Sequence, residues 1–106
     1  MTDSKVSRML DARPGAMLRA LAIAAFAEGQ MADEKGDPDR AIEAWKRATG
    51  LDPANAGLAV KVAFELGKRN EPAEAIRVLK DTIAVSPKEP DPYIYLAQIY
   101  EKHLNK

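Results

Sequence analysis

The chain of 106 residues has no cysteine, one histidine and one tryptophan. Without cysteine there is no disulfide framework and no thiolate metal site. The single imidazole, His103, has no partner residue near it in the sequence, so it reads as a surface residue of the last helix rather than as half of an acid–base pair. A phosphate-binding glycine loop, a His-x3-His metal spacing and a nucleophile elbow are all missing. The acidic clusters Asp33-Glu34 and Asp37–Asp39 read as solvated turn and cap residues, not as a cation site. The expectation is a chain that is not an enzyme, with no cofactor, no metal and no catalytic residue.

A surplus of charge of either sign is also missing. Lys+Arg and Asp+Glu both number 16, giving a formal net charge of zero. That removes the main electrostatic reason to expect nucleic acid or an anionic membrane as partner. No apolar run approaches the ~18 residues that a membrane helix needs. Lys5, Arg8 and Arg13 precede the apolar stretch 16–27, which loosely copies the charged and apolar regions of a signal peptide. Arg19 interrupts that stretch, and the same residues fall into register with a later repeat. A cytoplasmic location is therefore expected.

What the chain does have is a repeat. Its composition, 46% hydrophobic and 30% charged, is that of a folded domain. The sequence meets itself when displaced by about 34 residues, a period in the range of helical-hairpin repeats. Pro38 then falls on Pro72, Pro53 on Pro87, Ala41-Ile42 on Ala75-Ile76, Asp37 on Glu71 and Trp45 on Leu79. Gly29 falls on Ala63, and then on Ala97. Val62 falls on Leu96, Leu66 on Tyr100 and Val60 on Ile94. Small residues repeat on small ones, large apolar residues on large ones, and prolines on prolines.

Stop signals divide each unit into two helices, predicted over 15–35, 38–49, 56–69 and 72–85, with a fifth over 92–105. Asp37-Pro38 and Asp91-Pro92 each put an N-cap acceptor before a proline, which is tolerated at the first helical position. Gly36 and Gly50 are placed as C-terminal glycines, and Pro53, Pro87 and Pro90 mark turns. Alternating β-branched runs are absent, so strands are not expected.

The run 36–53, Gly-Asp-Pro-Asp-Arg-Ala-Ile-Glu-Ala-Trp-Lys-Arg-Ala-Thr-Gly-Leu-Asp-Pro, resembles the second half of a tetratricopeptide repeat. That family places a small residue in its first helix, Ala-x3-aromatic in its second, and a closing proline. The resemblance covers about residues 22–102. It departs from the pattern at Ala25 and Ala59, where the family often has a large aromatic, at Glu28 where later copies have Val62 and Leu96, and at Thr82, which replaces the small Ala48.

The resemblance implies an all-α solenoid of stacked antiparallel helix pairs, about five helices in all. An N-terminal extension over 1–13, matching no repeat and expected either to be disordered or to form one turn with Val6, Met9 and Leu10 against the first helix, would precede a repeat domain over 14–106. Within it, repeat 1 spans about 22–55, repeat 2 about 56–89, and a capping helix about 90–105. Gly29, Ala63 and Ala97 would allow close helix approach, with Trp45, Leu79, Leu66 and Tyr100 filling the space between helices.

In this family the first helix of each repeat lines a concave wall. The resemblance implies a groove built from Ile23, Phe26, Gln30 and Asp33, then Val60, Lys61, Phe64 and Lys68, then Ile94, Gln98 and Glu101. Spacings of three, four and seven put each set on one helical face. Phe26, Val60 and Ile94, each one repeat apart, would run as an apolar stripe suited to a partner helix or extended peptide. Some relatives hold a chaperone's C-terminal carboxylate with Lys and Asn on these helices. Here the matching positions hold Phe26, Gln30, Lys61, Asp91 and Tyr95, so that clamp is not expected. The expected function is a non-enzymatic scaffold binding a protein or peptide, without nucleic acid or membrane. The alternatives are a module that forms homo-oligomers through Met17, Leu18, Leu21 and Met31 of the first helix, or a fragment of a longer array.

Overall fold

A computed structural model describes residues 14–104. The extension over 1–13 and Asn105 lie outside these described residues. Five α-helices follow one another: α1 (Pro14–Glu34), α2 (Pro38–Leu51), α3 (Ala56–Lys68), α4 (Pro72–Val85) and α5 (Pro90–Ile99), the last widening into a π-helical turn (Tyr100–Leu104). No strand occurs among the described residues. Helix α1 packs on α2 and α3 on α4, α2 meets α3, and α5 lies against both α3 and α4. This is the expected all-α solenoid of stacked helix pairs.

The turn between the helices of each pair repeats as closely as the sequence does. The Asp37 amide donates to the Ala32 carbonyl at 2.9 Å, and one repeat later the Glu71 amide donates to Leu66 at 2.9 Å. Inside these bonds, Gly36 donates to Asp33 at 3.0 Å and Asn70 to Gly67 at 3.1 Å. Both turns are Schellman closures, which need a left-handed residue at the C′ position. Gly36 supplies it with φ 79° and Asn70 with φ 61°. Asp37 then caps α2 through a 3.4 Å bond from the Arg40 amide, whereas Glu71 makes no side-chain cap.

Two expected boundaries are corrected. Gly50 does not end α2; the helix runs through it to Leu51. The stop comes from Asp52, because a residue before proline is disfavoured in the helical region, and the Asp52 amide closes on Ala48 at 3.3 Å. Helix α5 starts at Pro90 with Glu89 as its N-cap, so Asp91 and Pro92 lie inside its first turn. First-turn amides have no partner within the helix, so two prolines there forfeit no hydrogen bond.

The core is built on the small-against-large register. Ala22, Ala25 and Ala32 of α1, Ala41, Trp45 and Ala48 of α2, and Ala59, Val62, Ala63 and Leu66 of α3 form one buried cluster with Ala75, Val78 and Leu79 of α4. Trp45, Leu66 and Leu79 are fully buried, as the register predicts, while Tyr100 is half-buried. Ala97 departs from its equivalents Gly29 and Ala63 by being exposed, since no described helix packs over that side of α5. Glu28, the polar outlier of its register, is also exposed and pairs with Arg47, whereas Val62 is buried.

Gly29 is sterically obligatory. A Cβ there would lie 2.9 Å from Trp45 Cε2 and closer still to two other indole atoms. Gly29→Ala is therefore expected to cost about 1–3 kcal/mol through overpacking. Asn70→Gly is expected to add about 0.5–1 kcal/mol by relieving the left-handed strain. Denaturant unfolding of the two variants checks both signs.

Candidate partner-binding groove

The first helices of the pairs, α1 and α3, contribute one wall together with α5. They enclose an open depression of about 420 Å³, lined by Phe26 and Gln30 of α1, Val60, Lys61, Phe64 and Glu65 of α3, and Tyr95 of α5. The spacing in the sequence accounts for this convergence: Phe26 and Gln30, and Lys61 and Glu65, are one helical turn apart. Phe64 is 49% exposed, although it is a large apolar side chain. Its ring lies 6.4 Å from that of Tyr95, tilted by 60°, within the range of a favourable edge-to-face pair. Burial, with a smaller contribution from the Glu65 charge, raises the Tyr95 pKa above the ordinary phenol value.

A second depression of about 250 Å³ adjoins the first, with Phe64 and Tyr95 lining both. Lys68 and Gln98 border it, with Ile99, Lys102 and His103 contributed where α5 widens into the π-helical turn. The Lys68 ammonium sits 5.3 Å from the Phe64 ring centroid, at cation–π distance.

Of the eleven groove residues named from the sequence, the structure places Phe26, Gln30, Val60, Lys61 and Phe64 around the first depression and Lys68 and Gln98 around the second. Ile23 and Ile94 are 61% and 55% exposed and line neither, so the stripe through Phe26 and Val60 does not extend along the depression to Ile94. Glu101 is exposed and borders neither depression. Asp33 is engaged in an ion pair with Arg69. Tyr95 and Glu65 were not among the eleven. Tyr95 stands one repeat after Lys61, so the register itself points to it.

Arg69 is the residue that sequence reasoning missed. In the sequence Lys68-Arg69 reads as an outer face or a helix C-terminus, where positive charge is favoured, yet the Arg69 side chain is only 18% exposed. Its Nη1 donates to Glu65 Oε2 at 2.9 Å and to the Glu65 carbonyl at 3.0 Å, and the guanidinium also pairs with Asp33 across the gap to α1. The guanidinium carbon lies 4.7 Å from the Trp45 ring. Hydrogen bonding to Asp33 raises the Arg69 pKa against the opposing effect of burial, and Glu65 adds to the rise. One side chain thus ties α3 to α1 over the indole of α2, and it neutralises two carboxylates beside the groove. Nothing in the local sequence announces a contact that joins residues so far apart.

Elsewhere, a depression of about 400 Å³ lies between α2 and α4 and includes Lys46, Arg77 and Val85. Its charges are already paired, Arg77 with Glu74 and Asp81 and Lys46 with Glu43. Among the described residues no group of His, Asp and Glu is arranged to hold a metal, and no helix is long and apolar enough to cross a membrane.

No protein-family model matches the chain. Over 73 residues, 69% of its length, the chain is 34% identical to interferon-induced protein with tetratricopeptide repeats 3 from Mus musculus. The matched segment spans 18% of that protein.

The Arg69 bridge has a measurable weight. Arg69→Ala removes the stacking on Trp45 and leaves the largely buried Glu65 without its main partner, so it is expected to cost about 2–3 kcal/mol. Asp33→Asn removes only the more exposed arm and is expected to cost less than about 1 kcal/mol. Denaturant midpoints of the two variants separate these values.

Proposed function

The chain is a tetratricopeptide-like repeat protein, and from that premise we propose that it is a non-enzymatic protein-interaction scaffold that receives a peptide or partner helix in the groove across α1, α3 and α5. One observation carries this reading: Phe64, half exposed, forms the common floor of two adjoining depressions with Tyr95. Monomeric proteins do not generally leave convergent aromatic side chains in a concave surface without a use for them. Open apolar grooves of this kind accommodate the apolar face of a helix or the alternate side chains of an extended segment. The reading carries with it a cytoplasmic location, where such a scaffold meets its partner without crossing a membrane.

Within this reading the partner contacts are assigned to Phe26, Gln30, Val60, Lys61 and Phe64, with Lys68 and Gln98 at the adjoining end. Phe64→Ala is expected to weaken capture of groove-binding peptides by about tenfold or more, as for an aromatic anchor, and Val60→Asp to weaken it further. Fluorescence anisotropy against a panel of amphipathic peptides measures the loss, with thermal melting as the control for folding. Unchanged binding in both variants would remove the groove from consideration.

A second reading rests on a different surface. Met17, Leu18, Leu21 and Met31 of α1 are 47–55% exposed. Such a patch on one helix favours self-association. On this reading, sedimentation across a wide concentration range shows dimers or larger species that Leu21→Glu disperses; a strictly monomeric wild-type chain excludes it.

A further inference from the structure

We propose that the segment received by the groove is acidic as well as apolar, its carboxylates meeting Lys61, Lys68 and Lys102 while its apolar side chains rest on Phe64 and Tyr95. This rests on the groove reading and specifies the chemistry of its occupant.

The argument is one of charge. The two depressions adjoin at Phe64 and Tyr95, which line both, and together they are the trough that would receive the segment. Three lysines border it: Lys61 at the first depression, and Lys68 and Lys102 at the second. The one carboxylate in the lining is that of Glu65. Its side chain is 13% exposed and is held by Arg69 at 2.9 Å, with Lys68 at 3.5 Å. Asp33, which reaches toward α3 from α1, is also taken by Arg69. Lys61 and Lys102 make no ion pair among the described residues. In a chain of zero formal net charge, the trough is therefore a local cationic surface.

The cations also stand beside the apolar floor rather than apart from it. Lys68 lies over the Phe64 ring at 5.3 Å, so a side chain seated on Phe64 brings its neighbours within reach of the ammonium group. His103 adds a ring nitrogen at the same end. Lys68, Lys102 and His103 lie beyond the positions used by the carboxylate clamp, which here are Phe26, Gln30, Lys61, Asp91 and Tyr95. The trough therefore suits acidic side chains within an amphipathic segment and does not require a free chain end. Complementary charge of this kind sets selectivity and association rate more than total affinity.

The test uses the full chain and three sets of labelled peptides that share the same apolar residues at helical spacing and carry Glu, Gln or Lys at the remaining positions. Anisotropy titrations are expected to rank them Glu, then Gln, then Lys, with about a tenfold difference between the first two from two or three exposed pairs. The advantage of the Glu set shrinks as salt is raised. The double variant Lys68→Met/Lys102→Glu abolishes or reverses the ranking. Lys102→Glu alone lies on the exposed π-helical turn, away from Glu65, and weakens the preference with the fold intact. Equal affinity for all three sets, lost in Phe64→Ala, overturns the charge inference and leaves the groove reading standing. A preference for Glu that survives Phe64→Ala also overturns it, because diffuse attraction then acts without the trough. Failure of every set to bind overturns the groove reading itself, and this inference with it.

Discussion

The structure depends on one close contact, the seating of the Trp45 indole against the bare backbone of Gly29. With no side chain at that position, α2 lies against α1 with the whole indole buried between them. Phe26 meets the indole with ring centroids 6.5 Å apart, and Arg69 covers it from α3. Trp45, on α2, therefore contacts α1 and the C-cap residue of α3, and so joins the first helix pair to the second. Its Nε1 is buried without a hydrogen-bond acceptor. That costs about 1–3 kcal/mol, a sacrifice outweighed by the apolar area of a fully buried indole together with its stacking partners.

The groove is a consequence of that seating. Once α3 is brought beside α1, Phe26 and Gln30 face Val60, Lys61 and Phe64, and the Arg69–Asp33 pair closes the joint on the C-terminal side of α1. The same arginine removes the negative charge of Glu65 and Asp33 from the vicinity, which leaves the lysines to determine the local potential. Packing and electrostatics are thus coupled through one side chain: the residue that locks the two pairs together also makes the trough cationic. Helix α5 completes the wall by supplying Tyr95 against Phe64, and its π-helical widening brings Ile99, Lys102 and His103 to the border of the second depression.

Much of this architecture was legible in the sequence because repeats are local and periodic. The repeat offset sets which alanines oppose which large side chains, and Ala41, Ala48, Ala63 and Ala75 are all buried accordingly. It even extends to a position that the sequence did not flag: Asn70 takes the left-handed conformation that Gly36 takes one repeat earlier. Where the register misled, the cause is context. Ala97 and Tyr100 repeat the pattern of buried residues, but no described helix packs over that side of α5. Gly50 has the composition of a helix stop, but the following Asp-Pro sets the end instead.

By itself, then, the sequence determined the helix pairs, their stacking order and the small-against-large core. These follow from propensity, capping and periodicity, which act over a few residues or at one fixed offset. The tertiary structure alone decided which side chains share the groove, that Ile94 and Glu101 stand outside both depressions, and that Asp33 is consumed by Arg69 rather than offered to a partner. Those outcomes depend on helix rotation to within a fraction of a turn and on a long arginine reaching across the gap to α1. A hydrophobic period marks which face of a helix is buried. It does not tell which residue at that face's edge meets a neighbour and which is left to the solvent.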